Sequence, residues 1–149
     1  ANLSPMTDND TTQGDAAAAT LFADLVRGTL IERMGIELLE VGAQRTVGTM
    51  PVEGNTQPAG LLHGGASVVL AETLGSLAAQ AHAGEARTVV GIEVGATHHS
   101  AARSGIVTGV ATPLHLGRTT ASYEIVVTDD RGRRTCTARL TCLVLTPAV

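Results

Sequence analysis

The chain has 149 residues, 44% of them hydrophobic and 16% charged, with a formal net charge of -4, and this length suffices for one domain with a buried core. Phe22 and Tyr123 are its only Phe, Tyr or Trp rings, and all ten of its Lys or Arg positions are Arg. The missing lysine excludes Schiff-base and P-loop chemistry, the missing rings exclude a stacking platform for single-stranded nucleic acid, and no apolar run approaches the roughly 20 residues that cross a bilayer, so neither nucleic acid nor membrane is an expected partner.

Residues 1–19 are polar and acidic around a four-alanine run and are expected to form a flexible leader, with Met6 a candidate native start and residues 1–5 a candidate addition. The leader lacks the basic-then-apolar pattern of a secretion signal, so the cytoplasm is the expected compartment. Residues 20–149 are expected to form a single domain. Leu21, Leu25, Leu30 and Met34 mark an amphipathic helix over residues 21–34, ended by Gly35. Strands over 36–41 and 45–52 follow, then a polar loop over 53–60 that contains Gln57-Pro58.

Residues 66–83 carry the longest helical pattern in the chain. Leu70, Leu74, Leu77, Ala78 and Ala81 recur at helical spacing, and Val68 and Val69 widen the apolar surface. A helix this apolar nearly all round is expected to be central, wrapped by other elements. Four strands complete the chain, over 88–98, 105–114, 119–128 and 133–145, the last two joined by a turn at 129–132. This order gives an α+β class: one curved antiparallel sheet around one long central helix. Cys136 and Cys142 sit on one face of the last strand, roughly 20 Å apart at about 3.3 Å per residue. That is too far for a disulfide within the chain, so both are expected as buried thiols.

Glu72 is the one carboxylate that interrupts the apolar helix. A carboxylate is rarely buried without a partner, so it either faces solvent, pairs with an Arg of another strand, or does chemistry. Ser76, four residues on, places a hydroxyl on the same face. At the helix start, Gly64 and Gly65 let a ligand approach their N–H groups closely, and the helix dipole favours negative charge there. Such a pair is a candidate oxyanion hole, although a glycine pair often does no more than let the chain turn into a helix. Glu72 lies roughly 10 to 12 Å along the helix from the glycines at about 1.5 Å per residue. Both a base and an oxyanion donor must lie about 3 Å from the reacting group, so one helix cannot serve one carbonyl with both. If both act, two subunits related by a two-fold axis supply them.

Other arrangements carry less. Ser67 lacks the second glycine of a nucleophile elbow. His98 and His99 are adjacent in a strand and point to opposite faces, so they cannot hold one metal, and the chain has neither HExxH nor CxxC; no metal site is expected. His63 either caps the helix or donates near a carbonyl. The connector Pro113-Leu114-His115-Leu116-Gly117-Arg118-Thr119 could hold phosphate through Arg118 and backbone N–H groups, or present an unoccupied arginine to solvent.

With those residues named, the chain resembles the hotdog-fold acyl-CoA thioesterases. Leu61-Leu62-His63-Gly64-Gly65-Ala66-Ser67 leading to Ala71-Glu72-Thr73-Leu74-Gly75-Ser76 is similar to the signature of the branch that includes 4-hydroxybenzoyl-CoA thioesterase and 1,4-dihydroxy-2-naphthoyl-CoA hydrolase. Val90-Gly91-Ile92-Glu93 and Pro113-Leu114-His115-Leu116-Gly117 extend the likeness to nearly everything after the leader. The resemblance implies that the Gly64 N–H polarises the thioester carbonyl, that Gln57 sits near the reacting group, and that Glu72 from the opposite subunit is nucleophile or general base. Ser76, where some relatives have Thr, would help place water. His63 and His98 would line the acyl pocket, next to Gly65; His115, Gly117, Arg118 and Thr119 would lie along the coenzyme A arm. Coenzyme A is then part of the substrate, with no separate cofactor. The resemblance also implies a homodimer that forms the active site, and a homotetramer of two dimers.

Two other functions stay open at this point. A hotdog hydratase or dehydratase of 3-hydroxyacyl thioesters shares a histidine and a carboxylate over one group, with a spacing unlike the nine residues between His63 and Glu72. A non-catalytic acyl-CoA-binding module would need neither the carboxylate nor the oxyanion donor. The branch implies an aryl or β-keto-like acyl group, in menaquinone biosynthesis, aromatic degradation or the clearing of misloaded thioesters.

Overall fold

The computed structural model describes residues 24–146, and the expected leader lies outside them. The chain divides into two compact units at the Arg33–Met34 junction. In the first, the helix expected over 21–34 is broken. Residues 24–26 are helical, Gly28 turns the chain at φ 73°, and a short helix restarts at Leu30–Arg33. That left-handed conformation is open to glycine and costly elsewhere, and the apolar spacing on either side of Gly28 hides the break.

The second unit is a six-stranded antiparallel sheet with one long helix, Gly64–Ala83. Its strands are β1 (Glu37–Glu40), β2 (Thr46–Pro51), β3 (Thr88–His98), β4 (Ile106–Leu116), β5 (Thr120–Thr128) and β6 (Arg134–Leu145), in the spatial order β1-β2-β4-β5-β6-β3. Alternation aims Ala121, Tyr123, Ile125 and Val127 of β5 into the core, with Cys136, Ala138, Leu140, Cys142 and Val144 of β6 beside them. Cys136 and Cys142 are free and buried. The Tyr123 hydroxyl donates to the Ala43 carbonyl at 2.9 Å, and burial, helped by Cys142, pushes its pKa up to about 12.

Glycines set how closely the helix meets the sheet. Gly48 of β2 and Gly109 of β4 are register partners, and Leu74 straddles them: a Cβ at Gly48 would fall 2.8 Å from one Leu74 methyl and a Cβ at Gly109 2.6 Å from the other. Gly75 lets the helix settle on Leu140 in the same way, at 2.6 Å. Backbone-to-methyl packing of this kind leaves no room for large rings, consistent with the low aromatic content.

The described residues wrap the helix on one side. Leu70, Ala71, Leu74 and Ala78 are buried, Val68, Val69 and Leu77 are half-buried, and Glu72 and Ala81 are exposed. The full wrapping expected from its composition is therefore not supplied by the described residues. Among the described residues, β3 is an edge strand that pairs with β6 alone, and its Val90 and Ile92 are exposed. Among the described residues, no helix is long and apolar enough to cross a membrane.

Candidate active site

The loop ahead of the helix is built on Asn55, which the sequence presents only as one more polar loop residue. Its buried amide donates to the Met34 and Pro51 carbonyls at 2.8 and 2.9 Å, and its own carbonyl accepts the His63 N–H at 2.9 Å. Gln57 closes the turn that follows. Its N–H reaches the Leu61 carbonyl at 2.8 Å and its Oε1 accepts from the Ala59 N–H at 3.1 Å. An antiparallel bridge between Thr56 and Leu62 then delivers His63 to the helix start.

His63 is the N-cap. Its Nδ1 accepts the Gly65 N–H at 2.8 Å, and its carbonyl accepts from Ala66 at 2.9 Å. Of the two glycines, then, Gly65 has spent its donor on the cap. Among the described residues, the Gly64 N–H has no acceptor. Gly64 borders a cavity of about 370 Å³ lined also by Ser67, His98, Ala101, Ala102 and Thr135 among others. His63 is not part of that lining. His98 is, and its ring lies directly against Gly64; His99 also borders the cavity, and its Nε2 bonds the Thr137 hydroxyl at 2.9 Å. An unspent donor at the positive end of a 20-residue helix can polarise a carbonyl or hold an oxyanion.

Glu72 lies about 12 Å further along the helix at the usual rise per residue. Its exposed carboxylate rests beside Gly91 of β3, with Oε1 3.3 Å from where a Cβ at that glycine would stand, and the Ser76 hydroxyl is 4.0 Å from the same point. Cys142 forms the floor. It is the register partner of Gly91, and burial pushes its thiol up, while a hydrogen bond with Ser76 acts in the opposite sense and the charge of Glu72 adds to the rise.

The connector residues are not in this neighbourhood. β4 runs through Leu116, and the Gly117 carbonyl is bound by His82 Nε2 at 2.9 Å, near the C-terminal end of the helix. The His115 ring packs on Gly117, and Arg118 and Thr119 are exposed. Arg87 adds a bond to the Arg118 carbonyl at 3.4 Å. Within one chain, Gly64, Gly65 and His98 thus gather at one helix end, Glu72 and Ser76 at its middle, and His115 to Thr119 at its other end. His82 is a residue that sequence reasoning missed, and its only signal is a histidine in the last turn of a helix otherwise free of charge beyond Glu72.

Several known proteins are similar to this chain. A family model described as the thioesterase superfamily matches residues 59–136. The proofreading thioesterase EntH of Cronobacter turicensis is 51% identical over 119 residues, 79% of this chain and 87% of that protein. EntH of Klebsiella pneumoniae is 51% identical over 118 residues, 78% and 86% of the two chains. Among solved structures, a thioesterase from Haemophilus influenzae superposes with a TM-score of 0.81 at 39% identity, over 86% of this chain and 90% of that one.

Proposed function

We propose that this chain, which belongs to the thioesterase superfamily and is a thioester hydrolase, cleaves an aryl or related acyl-CoA thioester to the free acid and CoA in a site shared by two copies. The carrying observation is the pairing of an unspent N–H on Gly64, a residue that borders a cavity, with an exposed Glu72 too far along the same helix to reach it. Two antiparallel helices about a two-fold axis bring Glu72 of a second copy to the Gly64 end. The free edge of β3, with Val90 and Ile92 exposed, favours a partner there. The same arrangement carries the second copy's connector, with His115, Gly117, Arg118 and Thr119, toward the cavity mouth to meet the CoA arm, and a second pairing of dimers gives the tetramer.

In this reading the Gly64 N–H and the helix dipole stabilise the oxygen that gains charge, Gln57 lies beside the reacting group, and His98 and Gly65 border the acyl group. His63 acts by holding the glycine loop. Glu72 either attacks the carbonyl carbon, releasing the thiolate and leaving a mixed anhydride that water opens, or removes a proton from water that attacks directly, with Ser76 placing that water. Neither route calls for a cofactor. The relatives are named proofreading thioesterases rather than members of the benzoyl or naphthoyl branch, which favours the clearing of misloaded thioesters over a step in menaquinone biosynthesis.

A free-thiol assay against aromatic, short and long acyl-CoAs tests this. Aryl thioesters should turn over fastest, and no release from any member would sink it. Single turnover in heavy-oxygen water separates the routes, because label enters Glu72 only if an anhydride forms.

A further inference from the structure

Glu72 could sample many rotamers on an exposed helix face, so its usefulness depends on what seats it. The seat is backbone. Gly91 stands beside the carboxylate, with Glu72 Oε1 3.3 Å and Ser76 Oγ 4.0 Å from the position a Cβ would take and Leu140 Cδ1 3.5 Å away beneath. The register of β3 against β6 slips between Gly91 and Glu93, so a bulge sits at this point of an otherwise regular pairing. Bulges re-aim the strand locally and recur beside functional groups. Cys142, opposite Gly91, closes the floor under Ser76.

We infer that Gly91 is a positioning residue: its missing side chain, at the bulge of an edge strand, fixes where the Glu72 carboxylate and the Ser76 hydroxyl stand relative to the thioester. This rests on the reading of Glu72 as the reacting carboxylate. Nothing in strand formation itself asks for glycine here, since glycine weakens a strand and Gly91 has no positive φ to require it. What asks for it is the space that Glu72 occupies. An alanine at 91 meets Oε1 closely enough to move it by a few tenths of an ångström, and a valine moves it further; small misplacements of a reacting group cost rate steeply.

The test is a graded series, Gly91→Ala and Gly91→Val, with Gly95→Ala and Gly95→Val as controls. Gly95 lies on the same edge strand and a Cβ there also meets a carboxylate, Glu93 Oε1 at 3.4 Å, away from Glu72. We expect kcat to fall about tenfold for Gly91→Ala and about a hundredfold for Gly91→Val, with KM within about twofold and the oligomer unchanged by sedimentation. Both Gly95 variants should stay within about twofold of the parent. If valine at 91 disrupts folding or assembly, a double-mutant cycle with alanine decides. In single-turnover measurements, Gly91→Ala should cost about tenfold with Glu72 present and less than twofold in the Glu72→Gln background. Equal losses in both backgrounds, a loss in KM alone, or full activity of Gly91→Ala would overturn the inference. If Glu72→Gln itself leaves turnover intact, the catalytic reading of Glu72 has failed instead.

Discussion

The ring of His98 occupies the space that any side chain at Gly64 would need: a Cβ there would lie 2.7 Å from His98 Nε2. The close approach joins the end of β3 to the first residue of the long helix. Gly64→Ala should therefore displace the imidazole or the helix start without unfolding the sheet. Turnover should fall on the order of a hundredfold, as expected for a misplacement of about 1 Å in a reacting constellation. His98→Ala, which removes the obstacle, should recover part of that loss when combined with Gly64→Ala. Steady-state kinetics of the two single variants and the double variant check this, and a double variant no better than Gly64→Ala alone would show that the contact is not what matters.

Glu72→Gln keeps the side-chain volume and removes the charge. If the carboxylate attacks the carbonyl or activates water, turnover should drop by about a hundredfold to ten-thousandfold. The melting temperature should hardly move, because the side chain is exposed and makes no ion pair among the described residues. Thiol release and thermal unfolding measured on the same preparation separate the two. A rate within twofold of the parent would remove Glu72 from the mechanism.

The sheet was largely legible in the chain. Strand-like alternation anticipates all six strands to within about two residues, because one face of each inner strand meets the helix and the other does not. β4 extends to Leu116 rather than 114, since a register shift between Pro113 and His115 absorbs a proline that would otherwise end the strand. The helix begins at Gly64 rather than Ala66, because the His63 cap lets both glycines enter it. In the site, residue types announced Gly64 and Glu72, and helical rise alone showed that they cannot serve one carbonyl within one chain. Which glycine keeps a free N–H was not legible, because it depends on the side-chain rotamer of His63. Gly91 could be quoted in a motif, yet its contact with Glu72 arises only when β3 folds back beside the helix.

Asp129 makes the turn between β5 and β6 a pH-dependent element. Its side chain is buried; Oδ1 accepts the N–H groups of Arg131 and Arg133 at 3.1 and 2.9 Å, and Oδ2 accepts from Arg133 Nε at 3.1 Å. The backbone hydrogen bond from Arg133 leads in holding this carboxyl below its ordinary value, against the opposing effect of burial. A depressed folded-state pKa means the unfolded chain binds the proton first, so the stabilisation is full above the unfolded value and disappears as pH falls through the folded one. Asp129→Asn should lower the melting temperature at neutral pH, and the gap from the parent should close below the ordinary Asp range. Thermal melts from pH 7 to pH 3 check this, and a gap that widens toward acid would contradict the sign.

The Gly48–Gly109 trough under Leu74 predicts an asymmetry between filling and emptying the core. Gly109→Ala brings a methyl to 2.6 Å from Leu74 Cδ1 and 3.3 Å from Leu70, while the other Leu74 methyl already stands over Gly48, so either Leu74 shifts or the helix lifts. Overpacking of this kind costs about 1–3 kcal/mol. Leu74→Ala instead leaves a void over two glycines, which have no side chains to collapse into it, and should cost toward the upper end of the usual 2–5 kcal/mol range. Combining the two lets the alanine at 109 fill part of that void, so the double variant should be more stable than Leu74→Ala alone. Denaturant melts of the three variants measure this, and strictly additive losses would mean that Leu74 is not held by the glycine trough.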